Sequence, residues 1–226
     1  MSTSRERRDL VRAASAMSAL GLVTAYGHVS YRSGAAMTIT PAADLGVVAE
    51  GDLVEMSLDV DELPSGAPAE AWAHLALYRA RRDVDAIARA QPASTLAAGA
   101  VTTAIPVLYG QAAWLGARIP VHDSAHLLRS VARAQAAAAV LDAGEALVLR
   151  GNGAITVGST PAVAVTRMWL LDRVCTAWLA ARACGELTVL DAEEVSTWRA
   201  VGEDLLPRLW RHLERVSMPA HGRGAA

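Results

Sequence analysis

Apolar positions in the first twenty residues fall at Leu10, Val11, Ala14, Met17 and Leu20, close to helical spacing. An amphipathic helix from Arg5 to about Leu20 is therefore expected, with Gly21 as its natural stop. Short strands are expected at 28–32, 36–40 and 52–57, and Leu63-Pro64-Ser65-Gly66-Ala67 reads as a loop. Pro68 is expected to open a helix to about Arg81, at a first-turn position where its missing amide costs nothing. Residues 84–91 read as a strand with Asp85, Ile87, Arg89 and Gln91 on one face. Ala86, Ala88 and Ala90 fill the other face, which suits tight packing against a helix.

A short helix at 93–100 and strands near 105–109 and 118–121 follow. Asp123 or Ser124 caps a helix to about Leu141, and residues 146–150 and 154–157 form a hairpin about Asn152-Gly153. Thr160-Pro161 starts a long helix that ends before Gly185. Asp191 with Glu194 resembles a capping box for a C-terminal helix that Pro207 is expected to kink or split. Interleaved short strands and helices argue for an α/β layered domain. We expect one domain over residues 1–217 and a disordered tail over 218–226.

Composition narrows the function classes. A formal net charge of -2 gives no reason to expect nucleic acid or an anionic membrane as partner. The N-terminus lacks the apolar stretch of a secretory signal, and the apolar segment from Pro161 to Cys184 is interrupted by Arg167, Asp172 and Arg173. Cys175 and Cys184 do not make a disulfide scaffold, so a cytoplasmic protein is expected. All 21 basic residues counted as Lys+Arg are arginines. A Schiff base needs an amine that can lose its proton, and arginine does not supply one. Lysine-imine aldol chemistry and conventional pyridoxal-phosphate chemistry are thereby excluded.

Several motifs occur in a telling order. Gly27-His28-Val29-Ser30-Tyr31-Arg32 is followed by Ile39-Thr40-Pro41, then by Pro68-Ala69-Glu70-Ala71-Trp72-Ala73-His74 with Tyr78 four residues on. Arg82-Asp83-Val84 precedes Ile87-Ala88-Arg89-Ala90-Gln91-Pro92, and Gly151-Asn152-Gly153 comes later. From about Arg8 to about Ala183 this series resembles the class II aldolase/adducin family. The resemblance implies a central, mostly antiparallel sheet between helical layers and a ring-shaped homotetramer with active sites at subunit interfaces.

The departures from the family pattern carry the chemical information. The family's Val-Val-His-x-His-Pro becomes a segment with Arg89 and Gln91, and its Asn-His-Gly becomes a segment with Asn152. All three zinc-binding histidines of the family are thus replaced by residues that bind zinc poorly or not at all. The phosphate-binding positions have changed as well: the family's Gly-Asn reads Gly27-His28, its Ser-Ser reads Pro68-Ala69, and a loop glycine reads Ala43. Without those hydroxyls and that glycine, a sugar phosphate is a poor substrate. Glu70 occupies the family's acid/base position.

By this resemblance Glu70, Arg89 and Tyr109 are the candidate catalytic residues, and His28, Thr40, Gln91 and Asn152 the candidate substrate contacts. No cofactor is expected, and a small molecule is the expected partner. Each assignment has a plainer counterpart. Arg89 and Gln91 would need no explanation on a surface strand, and Asn152-Gly153 is a hairpin-turn signal in itself. Glu70 would be an ordinary solvated helix carboxylate, and His74, four residues on, a packing residue. Tyr109 lies near, but one residue out of register with, a tyrosine that the family supplies from a neighbouring subunit; a buried structural tyrosine is the alternative.

Three functional readings follow. The first is a metal-independent, lyase-type enzyme acting through an enolate-like state on a small unphosphorylated oxo or carboxylate compound, in a specialised pathway such as natural-product biosynthesis. Aldol cleavage, decarboxylation, dehydration and isomerisation all fit that state. The second is a non-catalytic, adducin-like binding domain. The third is an enzyme whose metal site has moved to His28, His74, His122 and His126.

Overall fold

In the computed structural model, which describes residues 3–217, eight strands form one sheet. They are β1 (His28–Ser33), β2 (Ala36–Ile39), β3 (Val54–Ser57), β4 (Ala86–Ala90), β5 (Ala104–Pro106), β6 (Arg118–His122), β7 (Ala146–Leu149) and β8 (Gly153–Gly158). Across the sheet the order is β3-β2-β1-β4-β8-β7-β6-β5, and every neighbouring pair is antiparallel except β6 and β7. This is the layered α/β sandwich with a mostly antiparallel sheet that the sequence led us to expect.

Alternation along the central strands sorts the core into two layers. Ala86, Ala88 and Ala90 of β4, Ala146 and Val148 of β7 and Ala154 of β8 face one layer. Ile87, Leu147, Leu149, Ile155 and Val157 face the other. Over the alanine face lie α1 (Ser4–Ala19), α3 (Ala93–Gly99) and the long α5 (Pro161–Cys184), with α6 (Ala192–Ala200) and α7 (Gly202–Ser217) outside them. Small side chains let α5 come close: the Thr156 hydroxyl donates to Ala164 O at 2.7 Å, and a Cβ on Gly158 would stand 2.8 Å from Ala164 N. Over the branched-aliphatic face lie α2 (Ala71–Ala80) and α4 (Val131–Leu141).

Local signals account for several of the expected ends. The capping box of α6 forms as expected, with Asp191 accepting from Glu194 N and Glu194 accepting from Asp191 N, each at 2.9 Å. Gly21 follows α1 at φ 69°, a conformation that carries no Cβ penalty in glycine.

Four boundaries differ from the sequence reading by more than about two residues, the usual scatter of element ends. α2 starts at Ala71 rather than Pro68, because residues 68–70 form a turn closed by Ala71 N donating to Pro68 O at 2.8 Å. Glu70 is consequently the N-cap residue of α2 and not part of its first turn. α4 starts at Val131, and residues 123–130 form a loop instead of the helix that Asp123 or Ser124 was expected to cap. The expected strand at 105–109 is reduced to Ala104–Pro106, since a 3-10 turn over Gly110–Leu115 begins directly after Tyr109.

The fourth difference is at the C-terminus, where the break falls between α6 and α7 while Pro207 is accommodated inside α7. The Trp114 indole donates to the Trp198 carbonyl at 2.7 Å, and Gly202 presses on the same ring, where a Cβ would lie 2.9 Å from Cδ1. The turn therefore happens where the chain must clear Trp114. The tail expected at 218–226 lies outside the described residues.

Gly153 fixes how closely the β7–β8 turn lies against β4. It has φ 83°, and a Cβ there would collide with the Ala90 carbonyl and come within 2.8 Å of Gln91 Cα. Replacing it with alanine combines left-handed strain with overlap against β4. We expect Gly153→Ala to lower stability by about 2 kcal/mol or more, read from the midpoint of urea unfolding at unchanged m-value.

Candidate functional site

Where β1, β4 and the β7–β8 turn meet, a cavity of about 630 Å³ opens to solvent. Its polar floor is built from four separate pieces of chain. Arg89 and Gln91 come from β4 and the residue just beyond it, Asn152 from the turn into β8, Glu70 from the N-cap of α2, and His28 from the start of β1. Register puts them side by side: His28 pairs with Arg89 across β1 and β4, and Ala90 with Ala154 across β4 and β8. Residues directly opposite in an antiparallel pair project to the same face, so Arg89 and His28 enter the cavity together.

The floor is a closed hydrogen-bonded cluster. An Arg89 terminal nitrogen lies 2.8 Å from Glu70 Oε2 and donates to Asn152 Oδ1 at 2.5 Å. Gln91 Nε2 donates to the same Oδ1 at 3.0 Å, and Asn152 Nδ2 donates to Glu70 Oε1 at 3.0 Å. Leu128 N completes the set with a 3.0 Å bond to Glu70 Oε1. Because guanidinium only donates and carboxylate only accepts, the Asn152 amide has one sensible orientation. Its oxygen meets the two donors and its nitrogen meets the acid.

Both charged groups are almost fully enclosed, with side-chain exposures of 4% for Arg89 and 10% for Glu70. Burial lowers the Arg89 pKa and the Glu70 charge raises it, but an arginine starts so high that it stays protonated. A buried pair of this kind is tolerable only when its remaining donors and acceptors are met. Glu70 meets that condition through Leu128 and Asn152, whereas Arg89 does so incompletely. Its Nε is walled in with no acceptor, and its second terminal nitrogen makes no hydrogen bond among the described residues. The site thus holds a fixed cation with donor capacity to spare.

Behind the floor runs a second polar chain. His28 Nδ1 lies 2.7 Å from His74 Nε2, His74 Nδ1 lies 2.6 Å from Ser30 Oγ, and Ser30 Oγ lies 2.8 Å from the Tyr78 hydroxyl. Burial pulls the His28 pKa well below its ordinary value, helped by His74 and Arg89. Burial, then Arg89, brings His74 down to about 3. Both rings are therefore neutral near pH 7. Arg32 closes the far end by donating to Tyr78 O and Arg81 O at 2.6 and 2.7 Å, with its guanidinium 4.9 Å from the Tyr78 ring centre.

Of the residues singled out from sequence, Glu70, Arg89, Gln91, Asn152 and His28 come together at this cavity, while two others do not. The Thr40 hydroxyl is buried and accepts from Val29 N at 3.1 Å, which braces β1, and Thr40 does not line this cavity. Tyr109 packs into the alanine-face core, with Cys175 and Arg173 of α5 as its electrostatic neighbours. The Leu128 amide, the rim residues Leu127 and Arg129, and the exposed Tyr26 were not anticipated. The first three lie in the stretch read as helix, and no local signal marks them.

A metal ion is what the motif resemblance would place at Arg89, Gln91 and Asn152. The donor set does not fit one. Arg89 brings a positive charge and no lone pair, and the Asn152 oxygen is already taken by two donors. Nor do the histidines regroup. His28 and His74 bond to each other, His122 ends β6 and His126 is exposed in the 123–130 loop. Among the described residues no group of three or more His, Cys, Asp or Glu side chains is arranged to hold a metal.

Fold and motif order together define a class. Residues 8–179 match the family described as class II aldolase and adducin N-terminal domain, and the chain belongs to that family. Among solved structures, an L-fuculose 1-phosphate aldolase superposes with a TM-score of 0.83 at 22% identity, covering 90% of this chain and 98% of that one. The L-fuculose 1-phosphate aldolase from Glaciozyma antarctica PI12 gives 0.78 at 17%, covering 94% and 89%. An aldolase II superfamily protein from Pseudomonas syringae gives 0.79 at 19%, covering 94% and 92%. No curated protein matches the sequence. Among the described residues no helix is long and apolar enough to cross a membrane.

Two testable outcomes come from these contacts. Removing the Asn152 amide strands donors on Arg89 and Gln91 and takes one donor from Glu70, so Asn152→Ala is expected to cost about 3 kcal/mol in chemical unfolding. The second concerns acid. The unfolded chain protonates His74 near 6.5 while the folded chain holds it down to about 3. Below pH 6.5 the unfolded state therefore binds the extra proton, and stability falls as pH drops from about 6.5 towards about 3. Each such histidine contributes up to about 1.4 kcal/mol per pH unit in that window. Melting curves across it check the slope, which should flatten in a His74→Gln variant.

Proposed function

We propose that this protein is a metal-independent lyase-type enzyme that generates an enolate-like state from a small unphosphorylated oxo or carboxylate compound. The observation that carries the reading is the Glu70–Arg89 ion pair on the floor of an open cavity, closed by Asn152 and Gln91. In the working step Glu70 takes a proton from the carbon beside the substrate carbonyl. The C–H bonding pair passes into the carbon skeleton and negative charge accumulates on the carbonyl oxygen. Total charge is conserved: it leaves the carboxylate and reappears on the enolate, and Arg89 stands beside both. A fixed cation in that position stabilises the product of proton transfer without moving. Asn152 holds the guanidinium, Gln91 holds Asn152, and the two orient the bound oxygen.

The wall of the cavity supports the unphosphorylated part of the reading. Where the motif resemblance would place phosphate contacts, the lining is Gly27, His28, Pro68, Ala69 and Ala43, and the two serine hydroxyls have been replaced by Pro68 and Ala69. Proline has no amide hydrogen and alanine no hydroxyl, so against Pro68, Ala69 and Ala43 an apolar substituent is better accommodated than a dianion. Arg129 at the rim suits a carboxylate on the substrate. Tyr109 lines no part of this chain's own cavity, so its catalytic role requires the cavity of a neighbouring copy. That requirement accords with a homotetramer, and light scattering on the purified chain reads the mass.

The test begins with elemental analysis of protein purified without a histidine tag or chelator, for which we expect far less than one metal per subunit. A thermal-shift screen then compares 2-oxo and 3-oxo acids bearing hydrocarbon groups with sugar phosphates, and we expect the oxo acids to stabilise and the phosphates not to. On any compound turned over, Glu70→Gln should lower kcat by about 10²–10⁴, and Arg89→Met by a similar factor. Unimpaired turnover in Glu70→Gln would sink the reading. A screen without stabilising ligands would favour a binding domain instead.

A further inference from the structure

The buried chain from Tyr78 to His28 has a direction, and that direction determines what His28 offers to the cavity. Four polar groups stand in line, and neighbouring pairs lie 2.8, 2.6 and 2.7 Å apart. With both imidazoles neutral, each ring carries one N–H, and because a serine hydroxyl can accept twice, three arrangements of hydrogens connect the chain. In the first, every hydrogen points from Tyr78 towards His28. In the second, every hydrogen points from His28 towards Tyr78. In the third, His28 donates to His74, and both His74 and Tyr78 donate to Ser30, whose own hydrogen is left over.

The two buried hydroxyls decide among them. In the third arrangement the Ser30 O–H, fully buried and with only His74 and Tyr78 as side-chain partners among the described residues, has no acceptor. Tyr78 excludes the second. Its hydroxyl is enclosed in the branched-aliphatic core and has Ser30 Oγ as its hydrogen-bond partner among the described residues. If hydrogens ran towards Tyr78, its own O–H would point into apolar surroundings with no acceptor. A buried donor left unmet is costly, whereas a hydroxyl that donates and leaves a lone pair free loses little. Tyr78 therefore donates to Ser30, Ser30 donates to His74 Nδ1, and His74 Nε2–H donates to His28 Nδ1. The proton of His28 is left on Nε2, which has no protein partner and is not walled in.

We infer that His28 presents a neutral Nε2–H to the cavity as a hydrogen-bond donor, and that Tyr78, Ser30 and His74 are positioning residues that hold it in this tautomer. The inference rests on the proposed function only for its use. Beside Arg89, its cross-strand neighbour, such a donor would give a developing oxyanion a second, uncharged contact. His28 polarises and keeps its proton. Giving it up would draw hydrogens along the line and end in a buried tyrosinate, and burial pushes the Tyr78 pKa upward.

Two-bond nitrogen–proton spectra of the uniformly nitrogen-15-labelled full chain test this with no substrate present. The His28 signals are identified by their loss in His28→Gln. We expect Nε2 of His28 in the protonated, pyrrole-like range and Nδ1 in the bare, pyridine-like range. The opposite pattern, or a charged imidazolium at pH 7, overturns the inference. Tyr78→Phe removes the donor that sets the direction, and the Nε2–H signature should then shift towards a mixture of tautomers while the fold is retained. A His28 signature unchanged in folded Tyr78→Phe overturns the positioning role. If that variant does not fold, the unaltered protein still decides the tautomer. Failure of the proposed reaction appears separately, as unimpaired turnover in Glu70→Gln, and leaves these spectra as they are.

Discussion

A charge buried at the end of a sheet has to be answered from several directions, and the Glu70–Arg89 pair organises this protein around that requirement. Arg89 is anchored on β4, so its carboxylate partner must arrive from another element. The turn at 68–70 brings it by leaving Glu70 at the mouth of α2. The carboxylate then needs further donors, and the Leu128 amide in the 123–130 loop supplies one. Asn152 closes the ring because its amide can satisfy cation and anion at once. Gly153 permits that turn, since no Cβ fits between it and β4. Packing, loop shape and backbone conformation at this end of the sheet all come from keeping two charges satisfied out of water.

The two faces of the sheet divide the labour. On one, alanines and Gly158 let α5 approach closely, giving a rigid support without chemistry. On the other, β1 and β4 carry polar side chains that alternate with Val29, Ala88 and Ala90 pointing to the opposite layer. Ser30 and His28 thus share the face of Arg89, and the line from Tyr78 reaches the cavity through them. Strands hold Arg89 and His28, while Glu70, Gln91 and Asn152 sit at the very ends of regular elements, and a site that relies on a pre-set cation and oriented donors needs such anchoring. The longest contributor without regular structure is the loop at 123–130, tied down by its Leu128 amide and by the Asp123–Arg150 pair at 2.5 Å.

Much of this was legible in the residues. Period-2 alternation located β4 and assigned Arg89 and Gln91 to one face, and the alanines on the other announced a helix packed close. Thr160-Pro161 and Gly185 bracketed α5, and Asp191 with Glu194 marked α6. These signals are local: each depends on neighbours within a few positions. Motif order supplied the antiparallel sheet and brought Glu70, Arg89, Gln91 and Asn152 under suspicion together.

What stayed hidden depends on partners far apart in sequence. The bonds from Glu70 to Leu128 and Asn152 span 58 and 82 positions, and the His28–His74 contact spans 46. The stretch at 123–130 that was read as helix is a loop whose Leu128 amide bonds a buried carboxylate 58 positions away, and Thr40 spends its hydroxyl on a neighbouring strand. The break before α7 is set by Trp114 and not by Pro207, since the ring blocks the path. The sequence by itself determined the layers, the scaffold family and which side chains were available. Only the tertiary structure decided which donors meet which acceptors, because burial makes every unmet polar group costly and the partner that meets it can come from anywhere in the chain.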